Sequence, residues 1–124
     1  METLINCDIM IDIELIEMIS GRNQSFEVKF LTKDKTKYKL AFDWVWDLRY
    51  SIENGYIDRF SKFIRGVEQE SSVLLVENSK YIKYFESQVS GTRPVNDLKN
   101  YIIYDTVDTV IEVLTAKEPK LLRI

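Results

Sequence analysis

The sequence has no histidine, one cysteine, two prolines and four glycines in 124 residues. Without histidine there is no Ser-His-Asp triad, no Cys-His dyad and no imidazole general base. Cys7 is the only soft ligand, so no ordinary structural zinc site can be assembled and no intramolecular disulfide can form. A reducing, cytoplasmic compartment is the matching expectation. Neither common Gly-rich phosphate loop is present. No uninterrupted apolar run exceeds the length of Val73–Val76, far short of the ~20 residues of a spanning helix. The opening Met1–Asn6 segment has no basic stretch of the secretory kind. The expectations are therefore no membrane partner, no metal, no cofactor and no conventional enzyme activity.

What is present suits one globular domain over residues 1–124. The chain is 45% hydrophobic and 12% aromatic, enough for a core without a disulfide or metal staple. Net charge is −3 and the isoelectric point is near 5.1, which speaks against nucleic acid as the main partner. The charge is unevenly placed. Residues 1–20 carry Glu2, Asp8, Asp12, Glu14 and Glu17 and no base. Residues 21–40 carry Arg22, Lys29, Lys33, Lys35, Lys37 and Lys39 against Glu27 and Asp34. Charge pairing between neighbouring segments explains this most simply; a basic patch for an anionic ligand around Lys33–Lys39 is the alternative. Tyr38 in that stretch has inward parity.

Residues 8–43 have the period of an antiparallel meander. Ile9, Ile11, Ile13 and Leu15 alternate with polar positions, and a change of parity after Leu15 predicts a bulge. Gly21-Arg22-Asn23-Gln24 supplies a turn. Pairing Phe30 with Tyr38, Val28 with Leu40 and Phe26 with Phe42 puts all six on one face, with Asp34 at the hairpin tip.

The period then changes. Val45, Leu48, Ile52, Tyr56, Phe60 and Ile64 follow three- and four-residue steps, which predict helix over 44–65, as one helix or as two broken at Asn54-Gly55, with Asp43 as N-cap. Val73–Val76 reads as a buried strand. Asn78-Ser79 caps a helix carrying Ile82, Phe85 and Val89 and stopped by Gly91. Tyr101–Tyr104 reads as strand. Residues 105–117 fit either a helix opened by a capping box at Asp105–Asp108 or, given seven β-branched residues among them, a strand over Thr109–Thr115 after a turn. The strand is the better fit, with an edge strand at Leu121–Ile124. The expected class is α+β: a mainly antiparallel sheet, made of the N-terminal meander plus C-terminal strands, with two or three helices packed on one face. The expected core is Phe26, Val28, Phe30, Leu40, Phe42, Leu48, Ile52, Phe60, Ile82, Phe85, Ile103 and Ile111.

The chemistry that remains is that of carboxylates and aromatics. Asp105, Asp108 and Glu112 form one acidic group, and Asp43 and Asp47 another. Such pairs can bind Mg²⁺ or act as acid and base; as structural groups they cap a helix or shape a turn. Cys7, among acidic neighbours, has the surroundings of a half-buried structural thiol rather than a nucleophile. Trp44 and Trp46 flank Val45, so at least one should be partly exposed. Tyr and Trp suit interfaces because each combines large contact area with one polar handle. Trp44, Trp46, Asp47 and Tyr50 are thus one candidate partner-binding group, and Tyr104, Asp105 and Asp108 a second.

The run Tyr101-Ile-Ile-Tyr-Asp-Thr-Val-Asp-Thr-Val-Ile-Glu-Val-Leu followed by Glu118-Pro119, with Val76-Glu-Asn-Ser-Lys-Tyr-Ile-Lys-Tyr-Phe85, resembles small bacterial immunity-type proteins found beside polymorphic or contact-dependent toxins. The likeness spans residues 73–119. It implies a cytosolic protein that neutralises a toxin domain by stoichiometric binding. Such proteins share no common fold, so the likeness carries no binding residues across. The alternatives are a structural or interaction subunit of another partner, or a carboxylate-dependent Mg-binding enzyme.

Overall fold

Alternating apolar residues dictate strands through most of the chain, and two antiparallel sheets result. The computed structural model describes residues 2–52, 71–89, 97–107 and 109–124. In chain order the elements are β1 (Thr3–Asn6), β2 (Leu15–Arg22), β3 (Ser25–Leu31), β4 (Lys37–Phe42), β5 (Val45–Ile52), β6 (Val73–Glu77), α1 (Lys80–Val89), β7 (Lys99–Tyr104), β8 (Thr109–Thr115) and β9 (Lys120–Arg123). One sheet has the order β1-β6-β7-β8-β5, the other β2-β3-β4-β9.

The sheets pack face to face. Phe26, Val28, Phe30, Leu40 and Phe42 from the four-stranded sheet form one buried cluster with Val73, Tyr101, Ile103, Ile111 and Val113 from the five-stranded sheet. Phe42 sits at the centre of its aromatic part: its ring lies 6.1 Å from Phe26 and 5.8 Å, edge-on, from Tyr101 across the sandwich. The hairpin register is the one its alternation requires, with Phe26 opposite Phe42, Val28 opposite Leu40 and Phe30 opposite Tyr38. The bulge falls between Ile16 and Met18, just past Leu15. β9 completes the sheet against β4, as the apolar C-terminal segment suggests. Two ion pairs join the acidic and basic segments, Lys33 to Asp12 at 3.5 Å and Lys35 to Glu14 at 3.8 Å; within the hairpin Lys39 reaches Glu27 at 3.4 Å.

The α+β expectation is overturned. Strand makes up 56% of the structure and helix 10%, and α1 is the one helix among the described residues. The helix expected over 44–65 is, as far as Ile52, the strand β5, and residues 53–65 lie outside the described part. The cause is a second bulge. Val45 pairs with Thr115 and Asp47 with Leu114, so Trp46 is the extra residue. A bulge turns the three-residue step from Val45 to Leu48 into a same-face step of a strand, which mimics helical spacing. Leu48, expected in the core, is exposed. Ile82 and Phe85 are only half-buried; the side chain that α1 buries is Tyr81. The side chain of Ile52 and the whole of Phe60 lie outside the described residues.

Residues 9–13, expected as the start of the meander strand, are extended but belong to no ladder. They are stitched instead to the segment before β6. The Ser72 amide donates to the Ile11 carbonyl at 2.7 Å, the Ile13 amide to the Ser72 hydroxyl at 2.8 Å, and the Ile11 amide to the Ser71 hydroxyl at 3.3 Å. Ile13 is thereby carried into the core with no solvent exposure.

Deleting the Phe42 ring removes contacts to both sheets at once. Phe42→Ala should destabilise the fold by about 3–5 kcal/mol, read from the urea midpoint at unchanged slope.

Candidate partner-contact surface on strand β5

β5 is an end strand, hydrogen-bonded to β8 on one side, and no other described strand lies beyond it. Its entry is a tight corner. The chain leaves the four-stranded sheet at Phe42 and joins the five-stranded sheet at Val45 with only Asp43 and Trp44 between. Trp44 takes the left-handed region, with φ at 55°, which is rare for a bulky side chain. Backbone and side-chain bonds hold the corner. The Val45 amide donates to Gln24 O at 2.9 Å, the Thr115 hydroxyl to Asp43 O at 2.7 Å, and the Ala116 amide to Trp44 O at 3.4 Å. Asp43 is not a helix cap; its carboxylate accepts from the Ser25 hydroxyl at 3.2 Å.

Beyond the bulge the side chains of β5 divide by parity. Leu48 and Tyr50 pair with Val113 and Ile111, whose side chains line the inter-sheet core. Yet Leu48 is 41% and Tyr50 59% exposed. Trp44 is 48% exposed, and the ammonium of Lys117 stands 5.7 Å from its ring centre. Trp46 is half-buried.

Asp47 and Arg49 take the opposite face, beside α1, and enter a polar network. The Tyr81 hydroxyl donates to Asp47 at 2.8 Å, and the Arg49 guanidinium lies 3.5 Å above the Tyr81 ring. Arg49 also meets Glu112 at 3.3 Å, and the Glu112 side chain has no solvent exposure. The start of α1 is fixed by the same layer. Ser79 accepts from the Ile82 amide at 3.0 Å as N-cap and donates to buried Asn100 at 2.8 Å, while Glu2 accepts from the Lys80 amide at 2.9 Å. Glu2, Arg49, Lys80, Tyr81 and Tyr84 line a depression of about 340 Å³, and Tyr84 at its rim is 65% exposed.

The first candidate group, Trp44, Trp46, Asp47 and Tyr50, therefore follows an end strand and the corner before it instead of a helix, and the strand divides it, with Tyr50 on the inter-sheet face and Asp47 on the face of α1. Sequence reading placed Tyr81, Tyr84 and Arg49 in neither candidate group. Tyr81 follows the Asn78-Ser79 cap, so its place in the first turn was a usable signal; the approach of α1 to β5 was not.

The second group behaves differently. Asp105 is buried and clamps backbone: its carboxylate accepts from the amides of Ile16 at 3.0 Å, Val107 at 3.1 Å and Thr109 at 3.0 Å. The Tyr104 hydroxyl donates to Ser71 O at 2.8 Å. Asp108 lies outside the described residues. Among the described residues no three acidic or thiol groups are placed to hold a metal ion. Cys7 is half-buried, its thiol 3.5 Å from the carbonyls of Ile9 and Val73, and burial pushes its pKa up. Among the described residues no helix is long and apolar enough to cross a membrane.

Two outcomes follow from these contacts. Asp105→Ala leaves three amides without their acceptor and should cost about 3 kcal/mol in urea unfolding, whereas Tyr84→Ala should stay within about 0.5 kcal/mol. Burial, reinforced by the bond to Asp47, holds the Tyr81 phenol well above its ordinary range; burial does the same for Tyr101 and Tyr104. The unfolded chain ionises these groups near pH ~10 while the folded chain keeps the protons, so stability is full below that pH and falls as pH rises above it. Phenolate absorbance should show these tyrosines ionising only together with unfolding.

No family model matches the chain, and comparison with curated proteins and with solved structures finds no match.

Proposed function

We propose that the protein is a non-enzymatic protein-binding domain, and that its partner is a toxin domain neutralised by stoichiometric binding. The observation that carries the first part is the set of exposed large side chains along this rim of the five-stranded sheet: Trp44 at the entry to β5, Leu48 and Tyr50 on its inter-sheet face, and Tyr84 on α1 over the opposite face, where Asp47 and Arg49 both meet Tyr81. Aromatic anchors ringed by paired polar groups are what protein interfaces use. The late turn supports the reading differently: Tyr104 and Asp105 are engaged within the fold, which leaves β5 and α1 as the better contact surface.

The toxin part rests on the resemblance of residues 73–119 to immunity-type proteins and on charge. A nuclease toxin that engages a polyanion is commonly basic, and an acidic inhibitor of net charge −3 is steered towards it. Cytoplasmic residence belongs to the same proposal.

Co-expression with the toxin encoded beside it should rescue growth, and the purified pair should associate more slowly as salt rises. Replacing Trp44 and Tyr84 together by alanine should weaken the complex at least about tenfold, mainly through faster dissociation. Failure of rescue by a folded protein against an active toxin overturns the toxin reading. Rescue without direct binding overturns occlusion. A partner captured on this surface that is no toxin supports the interaction-subunit alternative.

A further inference from the structure

We infer that a pocket at the mouth of the inter-sheet layer, with the Tyr101 hydroxyl in its wall and Asp8 and Glu118 at its rim, is a binding site for a short primary alkylammonium group. Its walls come from the loop after β1, from β6 and β7, and from the turn between β8 and β9. Tyr101 lies on β7, which β8 separates from β5, so the inference is independent of the reading of β5 as a contact surface.

The observation that points to a ligand is the Tyr101 hydroxyl. The residue is 2% exposed, and among the described residues its hydroxyl has no hydrogen-bond partner. A buried hydroxyl left unpaired is a cost to the fold, and native structures rarely keep one without a group that completes it. The hydroxyl faces the pocket. Burial is the first influence that raises its pKa, and the next are Cys7, Glu118 and Asp8, all of them in the pocket lining. The cavity holds about 150 Å³, and Asn6, Asp8 and Glu118 are exposed around it, so it opens to solvent.

The lining sets the chemistry of the guest. Among the described residues two carboxylates and no base line the pocket, which disfavours an anion. Asp8 has no ion-pair partner among the described residues. Glu118 meets Lys99 at 3.5 Å with 63% of its side chain exposed, a surface pair that competes weakly. Cys7, Asp8 and Glu118 are not metal ligands together, since no three acidic or thiol groups among the described residues are placed to hold an ion. Negative charge without ligating geometry suits an organic cation that brings its own N–H donors. An ammonium donates to the phenol oxygen and to Asp8 or Glu118, while Ile9, Leu75 and Pro119 cover a short carbon stem. A cavity of this size takes a guest of about six non-hydrogen atoms. A free alkylamine and a lysine side chain of a partner protein offer the same group.

The test is titration of the full chain with n-butylammonium chloride, followed through the backbone amide NMR signals of Leu75, Tyr101 and Glu118. Saturable shifts with a Kd of about 1 mM or below are expected. 1-Butanol, uncharged and of the same length, should bind at least about tenfold more weakly, and butyrate should not bind. Tyr101→Phe deletes only the oxygen and should weaken n-butylammonium binding at least about fivefold without lowering the unfolding midpoint, since no protein partner is lost. Asp8→Asn, at an exposed position, should weaken it at least about threefold, and this arm decides if Tyr101→Phe loses its circular dichroism. Nα-acetyl-lysine N-methylamide separates the two sources: binding within about tenfold of n-butylammonium assigns the site to a lysine side chain, and weaker binding assigns it to a free amine. Absence of saturable shifts up to about 20 mM n-butylammonium overturns the inference, as does 1-butanol binding equally well or a folded Tyr101→Phe chain that binds as the parent does.

Discussion

The apolar layer between the two sheets is the constraint from which the rest follows. Among the described residues five strands face four. Each strand occupies roughly 4.8 Å of sheet width, so a five-stranded sheet overhangs a four-stranded one by about one strand. The overhang falls at β5. Val45 still reaches the core, but Leu48 and Tyr50, two and four residues past the bulge by inward parity, pass beyond its edge. The exposed aromatic surface is thus a product of unequal sheet widths, made from side chains whose parity would bury them in a wider sandwich.

The opposite face of the larger sheet solves a harder problem. Glu112 pairs with Arg49 on one neighbour and Ile102 on the other, and its side chain is fully enclosed. A buried carboxylate is tolerated only with a cation and hydrogen bonds close by. Arg49 supplies the cation, and Tyr81 covers Arg49 while anchoring Asp47. One helix residue therefore ties the position of α1 to the charge balance of the sheet beneath it. That coupling gives the β5 surface a defined shape even though it lies at the rim.

The hairpin β3–β4 was legible because its period of two, its turn and its matching lengths all agree, and the residues from Phe26 to Phe42 pair as the alternation requires. β6, β7 and β8 were legible from β-branched and apolar density. β5 was not. Its bulge at Trp46 shifts parity by one, and a strand with one extra residue has the spacing of a helix over two turns. The segment Ile9–Ile13 failed for the opposite reason: alternation reports one buried face, and the serines of 71–72 supply that burial without a ladder. The candidate residues Trp44, Trp46, Asp47 and Tyr50 stayed together because they are close in sequence, whatever structure they take. Asp105 was singled out correctly as a special residue, but its short side chain and backbone partners make it a clamp for the turn and for β2.

The order in which strands pair has a consequence for how the chain acquires its structure. Leu4 pairs with Val76 and Leu40 with Leu121, so both sheets are closed by partners some seventy to eighty positions apart, against loop-closure entropy that must be met before those contacts form. Only β2–β3–β4 and β7–β8 are joined through neighbours in sequence. During synthesis the β3–β4 hairpin can form early, yet its Phe26, Phe30 and Phe42 face has no cover until residues 101–113 have been made. The topology therefore delays closure of the domain, and the nascent hairpin holds an aromatic sheet face without cover until its second sheet has been made.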